Sequence, residues 1–316
     1  MQNGIVHPTI SLPSNKNMGA LKQVFRKLPS KYLQALEEAK PGDGVGYPNE
    51  YNGERIRINN AFLKQCILLR PHSRAFRLNH NIVIKTGSKA RLLEAETLKL
   101  LASQTSIPVP RVYDSYIQPD GCGVLIMEHI EGQTLSQAWP HYDQAQKQSI
   151  TAQLKHYLTE LRSITSTTIS GSIDKTQPCL DEFFAHDDLQ YGPYNDPSAF
   201  IEGLVHTLRS PQRGGDNSWT QMVARLLRSM RSEKIVLTHN NLTPSNILVR
   251  DGMVVGILDW ELCGFYPDYW EFVKAYLFAD WNGMWVKEKV PDRILTPRLA
   301  ELSYLMHARS VVWPGL

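Results

Sequence analysis

The feature that most constrains the fold of this chain is a pair of apolar runs on either side of an Asp-Gly dipeptide. The runs cover residues 247–250 and 253–258, and the dipeptide occupies positions 251–252. Two apolar runs separated by two residues of this type are the strongest short-range signal for a β-hairpin. We therefore expect an antiparallel hairpin here.

The register of this hairpin predicts a metal site. The tight turn pairs Arg250 with Met253, which places Asn246 opposite Ile257. Because strand side chains alternate, Asn246 and Asp259 then project from one face as diagonal neighbours, about 7–8 Å apart at the backbone. An amide oxygen and a carboxylate at that separation can share one hard cation. Asn246 and Asp259 are thus the candidate ligands of Mg²⁺.

The residues before the hairpin have the spacing of a phosphoryl-transfer loop. Kinase loops read His-x-Asp-x-x-x-x-Asn, in which the Asp accepts the proton of the attacking hydroxyl and the Asn holds Mg²⁺. His239 and Asn246 keep that spacing, but Asn241 stands at the Asp position. A lone His is most often a satisfied core residue, so the spacing carries the argument. We take His239, which would position the loop, and Asn241 as the candidate catalytic residues.

A lysine and a glutamate upstream fit the same chemistry. Lys85 ends an apolar strand, and a helix with two glutamates follows it. Such a lysine can reach nucleotide phosphates while a glutamate from the helix orients it. Glu94 and Glu96 are two residues apart and face different ways, so only one can serve, and the adjoining leucines favour Glu94. Taken alone, Lys85 would be better explained by a surface ion pair.

The next apolar strand, at residues 124–128, leads into Glu131-Gly132 and predicts a connector between two lobes. Such a connector offers backbone N–H and C=O groups to an adenine edge. Without the other motifs, an ordinary strand end would explain the pattern equally well. The candidate adenine-binding residues are Met127, Glu128, His129 and Ile130.

Composition narrows the classes of partner. The net charge of +3 is small and the basic residues are scattered, which argues against nucleic-acid or membrane-surface binding. No apolar run approaches the ~18 residues that a transmembrane helix needs. The four cysteines lie far apart, without the spacing of a zinc site or a disulfide framework. We expect a cytoplasmic protein with a small-molecule substrate, and its oligomeric state is left open.

The periodicity predicts an α+β chain in three parts: an extension at 1–60, a β-rich nucleotide-binding lobe at 61–130 and a mainly helical lobe at 131–316. Predicted strands cover residues 66–70, 75–78, 81–85, 111–117 and 124–128. Predicted helices cover residues 21–40, 89–103, 145–163, 197–208, 217–232 and 269–279. Tyrosine and tryptophan residues from 266 onward could line a substrate pocket, although such spacing is more often that of a core.

Several blocks resemble those of the aminoglycoside phosphotransferase/choline kinase family, especially its fungal branch. They include NIVIKTG, VLIMEHIEGQTLSQAW and LTHNNLTPSNILVRDGMVVGILDWELCGFYPDYWEFVKA, and the resemblance covers about residues 75–279. It implies a two-lobed protein-kinase-like fold that binds ATP between the lobes. It also implies phosphate contacts from Lys85 and Glu94, Mg²⁺ ligation by Asn246 and Asp259, and a phosphate-covering loop at 71–74 that contains Ser73.

Asn241 is the departure from the family pattern, and it leaves three accounts open. Losing a positioned general base typically lowers a rate by ~10²–10⁴, although positioning and metal electrostatics carry most of phosphoryl transfer. The chain could be an engineered knock-out, a pseudokinase that binds a ligand or partner without chemistry, or a repurposed enzyme such as a natural-product cyclase. The sequence favours a kinase-like phosphotransferase that uses ATP and Mg²⁺ and is weakly active or inactive.

Overall fold

The computed structural model describes residues 58, 60–64, 66–69, 74–87, 90–179, 181, 183, 191–210, 215–277 and 279–312. The predicted helix at 21–40 and Ser73 lie outside these residues. The chain divides into two units, residues 1–84 and residues 85–316. The predicted boundaries at 60 and 130 stay predictions.

The described part of the first unit is mostly extended. It contains α1 (Asn60–Leu63), β1 (Ile67–Leu68), β2 (Ala75–Arg77) and the beginning of β3 (Ile82–Gly87). β1 and β2 are antiparallel, with Leu68 opposite Phe76, and β2 neighbours β3. β3 is apolar at its start and buried along nearly all of its length, as expected of an inner strand.

The second unit is mainly helical and also carries short strands. Its strands are β4 (Val112–Ile117), β5 (Gly123–Glu128), β6 (Gln133–Thr134), β7 (Thr165–Ser166), β8 (Ile235–Thr238), β9 (Ile247–Arg250), β10 (Met253–Ile257) and β11 (Gly264–Pro267). Its α-helices are α2 (Ala90–Gln104), α3 (Leu135–Ala138), α4 (Gln144–Ser163), α5 (Pro197–Arg209), α6 (Ser218–Ser229), α7 (Trp270–Leu277), α8 (Met284–Lys287), α9 (Val290–Ile294) and α10 (Leu299–Val312). None of the helices in the described residues is both long and apolar enough to cross a bilayer.

Each strand and helix predicted within the described residues is present, with bounds that differ by a few residues. The α+β class is therefore confirmed. Local signals explain the success for the helices. Asp143 and Gln146 form a capping box at the start of α4, and Asp196 caps α5 just before Pro197. The short strands β6, β7, β8 and β11 and the helices α1, α3 and α8 to α10 were not predicted.

Two three-stranded sheets hold the segments around the candidate site. One has the order β10-β9-β6 and the other the order β11-β8-β7. All four residues of the central strand β8 are buried, so the strand is fixed on both faces. Behind it, Trp270 stacks on Tyr266 with ring centroids 5.7 Å apart and meets the edge of Phe200 at 5.0 Å. These buried aromatic side chains form core rather than a pocket wall.

The hairpin β9–β10 forms as predicted, but its register does not. Met253 pairs with Arg250, whereas further along Ile257 pairs with Ile247 because a bulge interrupts the ladder between Val254 and Gly256. The predicted pairing of Asn246 with Ile257 is therefore wrong by one residue.

The bulge in β10 lies where the strand backbone passes close to a side chain from an earlier segment. A Cβ atom at Gly256 would lie 3.0 Å from Cδ1 of Ile130, so the backbone approaches that side chain more closely than most residues allow. Glycine within a strand often marks a bulge or such a close approach. The shift brings Leu258 opposite Asn246, whose carbonyl accepts the Leu258 N–H at 2.8 Å.

Candidate active site

A buried ion pair joins β3 to α2. Lys85 Nζ lies 2.7 Å from Glu94 Oε1 and 2.9 Å from Oε2, and the two side chains are 5% and 1% exposed. Glu96 instead accepts from Lys99 on the solvent-facing side of α2. Of the two glutamates that the sequence offered, the structure pairs Glu94 with Lys85. A buried lysine and carboxylate each require such a partner, because an unpaired buried charge is strongly destabilising.

Asp259 faces the same lysine from the end of the hairpin. Its Oδ1 accepts from Lys85 Nζ at 2.8 Å, and its Oδ2 accepts from Asn241 Nδ2 at 2.8 Å. Asp259 adopts a left-handed backbone conformation with φ 70°, which bends the chain out of β10. The side chain is 28% exposed, so the carboxylate is partly accessible from solvent.

Asn241 connects the two candidate metal ligands. Besides donating to Asp259, it accepts from Asn246 Nδ2 at 2.9 Å through its backbone carbonyl. An aspartate at this position could not donate the hydrogen bond to Asp259 and would instead place two carboxylates in contact. The amide is therefore integrated into the hydrogen bonding of the site.

The oxygen donors of Asn246 and Asp259 fit a hard divalent cation. Mg²⁺ is commonly bound by one or two carboxylates together with waters and substrate phosphates, rather than by an all-protein cage. In the part of the chain that the structure describes, no three His, Cys, Asp or Glu side chains are grouped closely enough to hold a metal on their own. A Mg²⁺ ion bound by Asn246 and Asp259 would be completed by waters and substrate phosphates.

His239 fixes the shape of the loop between β8 and β9. Its Nδ1 accepts from the Asn241 N–H at 3.1 Å, and its Nε2 donates to the Leu258 carbonyl at 2.9 Å. The ring is fully buried and packs against Trp260 with centroids 4.4 Å apart. Burial lowers the pKa of His239 to about 4, so the imidazole is neutral near pH 7. His239 thus ties the Asn241 backbone to the end of the hairpin.

Glu271 of α7 also holds this loop, although the sequence patterns did not identify it. Its carboxylate accepts from the backbone N–H groups of both His239 and Asn240. Burial raises the pKa of Glu271 to about 7, against the lowering effect of those hydrogen bonds and of Arg162. Asn240, with φ 66°, accepts from Trp270 Nε1 at 3.0 Å. The only available signal was an acidic residue within an apolar helix.

The four connector residues lie at and just beyond the end of β5. Met127 is buried, and Glu128, His129 and Ile130 are partly exposed. The Glu128 N–H donates to the Arg111 carbonyl at 2.8 Å, and its Oε2 accepts from the Arg111 N–H at 3.2 Å. The Glu128 N–H and carboxylate are thus both bonded to the Arg111 backbone. The structure brings together Lys85, Glu94, Asn241, Asn246 and Asp259.

Comparison with solved structures places this geometry in a known fold. The chain is similar to a thermostable mutant of the aminoglycoside phosphotransferase APH(4)-Ia, at 16% identity over 75% of this chain and 80% of that one, with a TM-score of 0.52. It is similar to APH(2″)-IIa in a ternary complex with streptomycin and ATP, at 15% identity over 76% and 82% of the two chains, with a TM-score of 0.52. Similarity to the GDP and kanamycin complex of an APH(2″) enzyme is 16% over 75% and 80%, again with a TM-score of 0.52. The expected protein-kinase-like fold is confirmed.

Sequence comparison gives the family. No curated protein matches the chain. The profile of the phosphotransferase enzyme family, abbreviated APH, matches residues 85–302, which is more than half of the chain and includes Lys85, the loop and Asp259. The chain belongs to the phosphotransferase enzyme family.

Proposed function

We propose that the chain binds ATP with Mg²⁺ and transfers a phosphoryl group, slowly, to a hydroxyl or amine of a small metabolite or natural product. The observation that carries this proposal is the buried contact of Lys85 with Glu94 and Asp259. A lysine enclosed by two carboxylates is expensive to desolvate, and its position suits contact with nucleotide phosphates.

The roles of the other residues follow from their contacts. Glu94 orients the Lys85 ammonium group, and Asn246 and Asp259 would hold Mg²⁺, which when bound neutralises charge on the phosphates. His239 and Glu271 fix the loop backbone through hydrogen bonds that leave the Asn241 side chain facing Asp259. Positioning and electrostatics supply most of the catalysis in this class of reaction.

Asn241 sets the expected rate. Its Nδ2 donates to Asp259, so the other end of the amide, Oδ1, is the acceptor for a substrate hydroxyl. The amide can orient that hydroxyl but cannot take its proton. The loss of a positioned base predicts a rate about 10²–10⁴ below that of a chain with aspartate at 241.

The substrate class rests on the similar structures. Two of them are named as complexes of a purine nucleotide with an aminoglycoside, either streptomycin or kanamycin. Aminoglycosides carry many hydroxyl and amino groups. This supports a nucleotide and a hydroxyl- or amine-bearing small molecule for the present chain, at the level of chemical class.

The Asn241–Asp259 hydrogen bond favours a second candidate function, that of a nucleotide-binding protein without phosphoryl transfer. Both oxygens of the Asp259 carboxylate accept hydrogen bonds within the protein. A site completed in this way can bind a ligand as a pseudokinase does, with no turnover.

Calorimetric titration of MgATP, combined with ADP production, tests the proposal. The chain and its Asn241→Asp variant are assayed against a panel of aminoglycosides and other hydroxyl-bearing natural products. We expect both proteins to bind MgATP and the aspartate variant to turn over faster. Binding by both proteins without turnover by either would support the silent or repurposed alternatives. Lys85→Met is the control that shows whether binding occurs at this site. Failure of both the chain and Asn241→Asp to bind MgATP would overturn the proposal.

A further inference from the structure

A second group of charged residues lines a cleft at the start of β8, the strand that leads into the loop with His239 and Asn241. The cleft has a volume of about 700 Å³ and is bounded by the C-terminal half of α4, the start of β8, Asp268 and the segment around α9. Two residues of its wall belong to this part of the chain: Lys234 directly precedes β8, and Val236 lies within it. We call it the basic cleft, because five of its lining residues are cationic: Lys155, Arg162, Lys234, Arg293 and Arg298.

Two of these arginines are drawn together on one aspartate. Arg162 Nη2 donates to the Asp268 backbone carbonyl at 2.6 Å, and Arg298 Nη2 donates to Asp268 Oδ2 at 2.7 Å. The other carboxylate oxygen accepts from Ser232 at 2.9 Å. Burial lowers the pKa of Arg162, against the raising effect of the Glu271 and Asp268 carboxylates, and the charge of Arg298 adds to the lowering. Asp268 thus accepts from two guanidinium groups, through its backbone carbonyl from Arg162 and through its carboxylate from Arg298.

Each of three arginines also retains a buried N–H group for which the described part of the chain provides no acceptor. The atoms are Arg162 Nη1, Arg293 Nε and Arg298 Nε. Arg293 is held on its other side, where Nη2 donates to the Glu288 carbonyl at 3.1 Å. An unsatisfied buried donor is destabilising, and three of them around one cleft is an unusual concentration. A small rotation of each guanidinium toward the cleft would provide a partner if an acceptor were bound there.

The acidic residues of the cleft do not supply that acceptor. Asp268 already accepts on both oxygens, and Asp292 accepts from the Tyr276 hydroxyl. Glu233 is exposed to solvent. Among the described lining residues the cations outnumber the acids, so an anion bound in the cleft would supply the missing acceptor.

We propose that the basic cleft binds a small molecule carrying a phosphate monoester, whose oxygens are bound by the three arginines. Tetrahedral oxyanions accept several charge-assisted hydrogen bonds at once, and guanidinium groups match their geometry. The cleft is of the size of small-molecule sites, larger than a bare ion requires. Leu158, Val236 and Leu295 supply apolar surface for the organic part of the ligand.

Titration of the full chain with inorganic phosphate and with phenyl phosphate tests this proposal. We expect both probes to bind and phenyl phosphate to bind more tightly, because its ring would contact the apolar wall. Equal affinities would overturn the monoester part of the proposal. Absence of binding by either probe at millimolar concentration would overturn all of it.

Variants locate the binding. Lys155 and Lys234 are exposed, so replacing either with glutamine leaves the core intact and should weaken phenyl phosphate binding severalfold. Arg298→Gln should weaken it about tenfold or more. Arg209→Gln is the matched control, because Arg209 pairs with Asp216 on the surface outside the cleft. Equal affinities in the lysine variants and the control would place the anion elsewhere and overturn the proposal.

Discussion

The candidate active site and the basic cleft differ in how their buried charged groups are paired. In the active site, one ammonium group lies between the carboxylates of Glu94 and Asp259. In the cleft, Arg162 and Arg298 share Asp268, and each keeps a buried N–H group without an acceptor in the described residues. The charged groups of the first cluster are paired within the protein. The second cluster keeps hydrogen-bond donors that still require an acceptor.

This difference shows that ligand readiness takes two forms. A site whose polar groups are bonded to one another is stable without ligand, and a ligand must replace those bonds when it enters. A site with unsatisfied donors is destabilising until a ligand arrives, because the free energy of the unmade hydrogen bonds is recovered only on binding. The two clusters should therefore respond differently when a charge is removed from them.

The largest expected effect is that of removing the active-site lysine. Lys85→Met would leave Glu94 buried without its partner and lower the free energy of unfolding by about 3–5 kcal/mol. Chemical denaturation measures this change. Lys99→Met is the matched control. It breaks the exposed Lys99–Glu96 pair on α2, the helix that also carries Glu94, and should lower the free energy of unfolding by less than about 1 kcal/mol.

A double variant completes this test. Lys85→Met combined with Glu94→Gln removes both charges, and it should be more stable than Lys85→Met alone. If Lys85→Met and Lys99→Met were equally stable, the description of Lys85 as a self-satisfied buried charge would be wrong.

The second prediction concerns the carboxylate that holds the loop. The pKa of Glu271 is raised to about 7 from an ordinary value of 4.5, so between these pH values the folded state binds more protons than the unfolded state. Stability contributed by this group therefore falls as the pH rises from about 4.5 to about 7. Relative to Glu271→Gln, the unsubstituted chain should lose about 3 kcal/mol of unfolding free energy across that window.

Urea denaturation of both proteins at several pH values provides the measurement. The difference between the two curves isolates Glu271, because His239 and the other titrating groups are common to both. A constant offset in the free energy of unfolding is also expected. Glutamine keeps one oxygen, so it can accept from only one of the His239 and Asn240 N–H groups as they are arranged. A difference that does not change between pH 4.5 and 7.5 would contradict the raised pKa.

These two groups also show what the sequence could reveal. Lys85 and Glu94 were identified because a strand-end lysine and a following amphipathic helix are local patterns, and the structure pairs them. Glu271 was not identified, because its importance comes from two backbone N–H groups more than thirty residues earlier in the chain. No periodicity records such a contact.

The same limit explains the hairpin and the basic cleft. The turn at 251–252 follows from two residues, so the pairing of Arg250 with Met253 was correct. The bulge depends on how Gly256 meets Ile130 from a distant segment, and the predicted register therefore failed. The basic cleft draws its arginines from two regions more than a hundred residues apart, where each one looks like an ordinary surface charge.

The third prediction tests how firmly Asn241 belongs to the satisfied cluster. Asn241→Asp would remove the hydrogen bond to Asp259 and bring two carboxylates together, lowering the free energy of unfolding without metal by about 2 kcal/mol. Added Mg²⁺ should recover more stability in this variant than in the unsubstituted chain. Asn241→Leu is the control, since it loses the hydrogen bond without adding charge. An aspartate variant as stable as the unsubstituted chain in EDTA would show that the amide contributes nothing to the site.

The smallest expected effect is stabilisation through the basic cleft. A ligand that binds only the folded state at ten times its Kd raises the free energy of unfolding by about 1.4 kcal/mol. Phenyl phosphate at that concentration should therefore stabilise the unsubstituted chain by this amount. The gain should shrink in Lys234→Gln and persist in Arg209→Gln, because Lys234 lines the cleft and Arg209 does not.

A variant of the active site tests the same contrast from the other side. Asn241→Leu disturbs only the satisfied cluster, so it should keep the whole stabilisation by phenyl phosphate. Loss of the gain in Asn241→Leu would mean that the anion binds in the active site, and the contrast between the two clusters would fail.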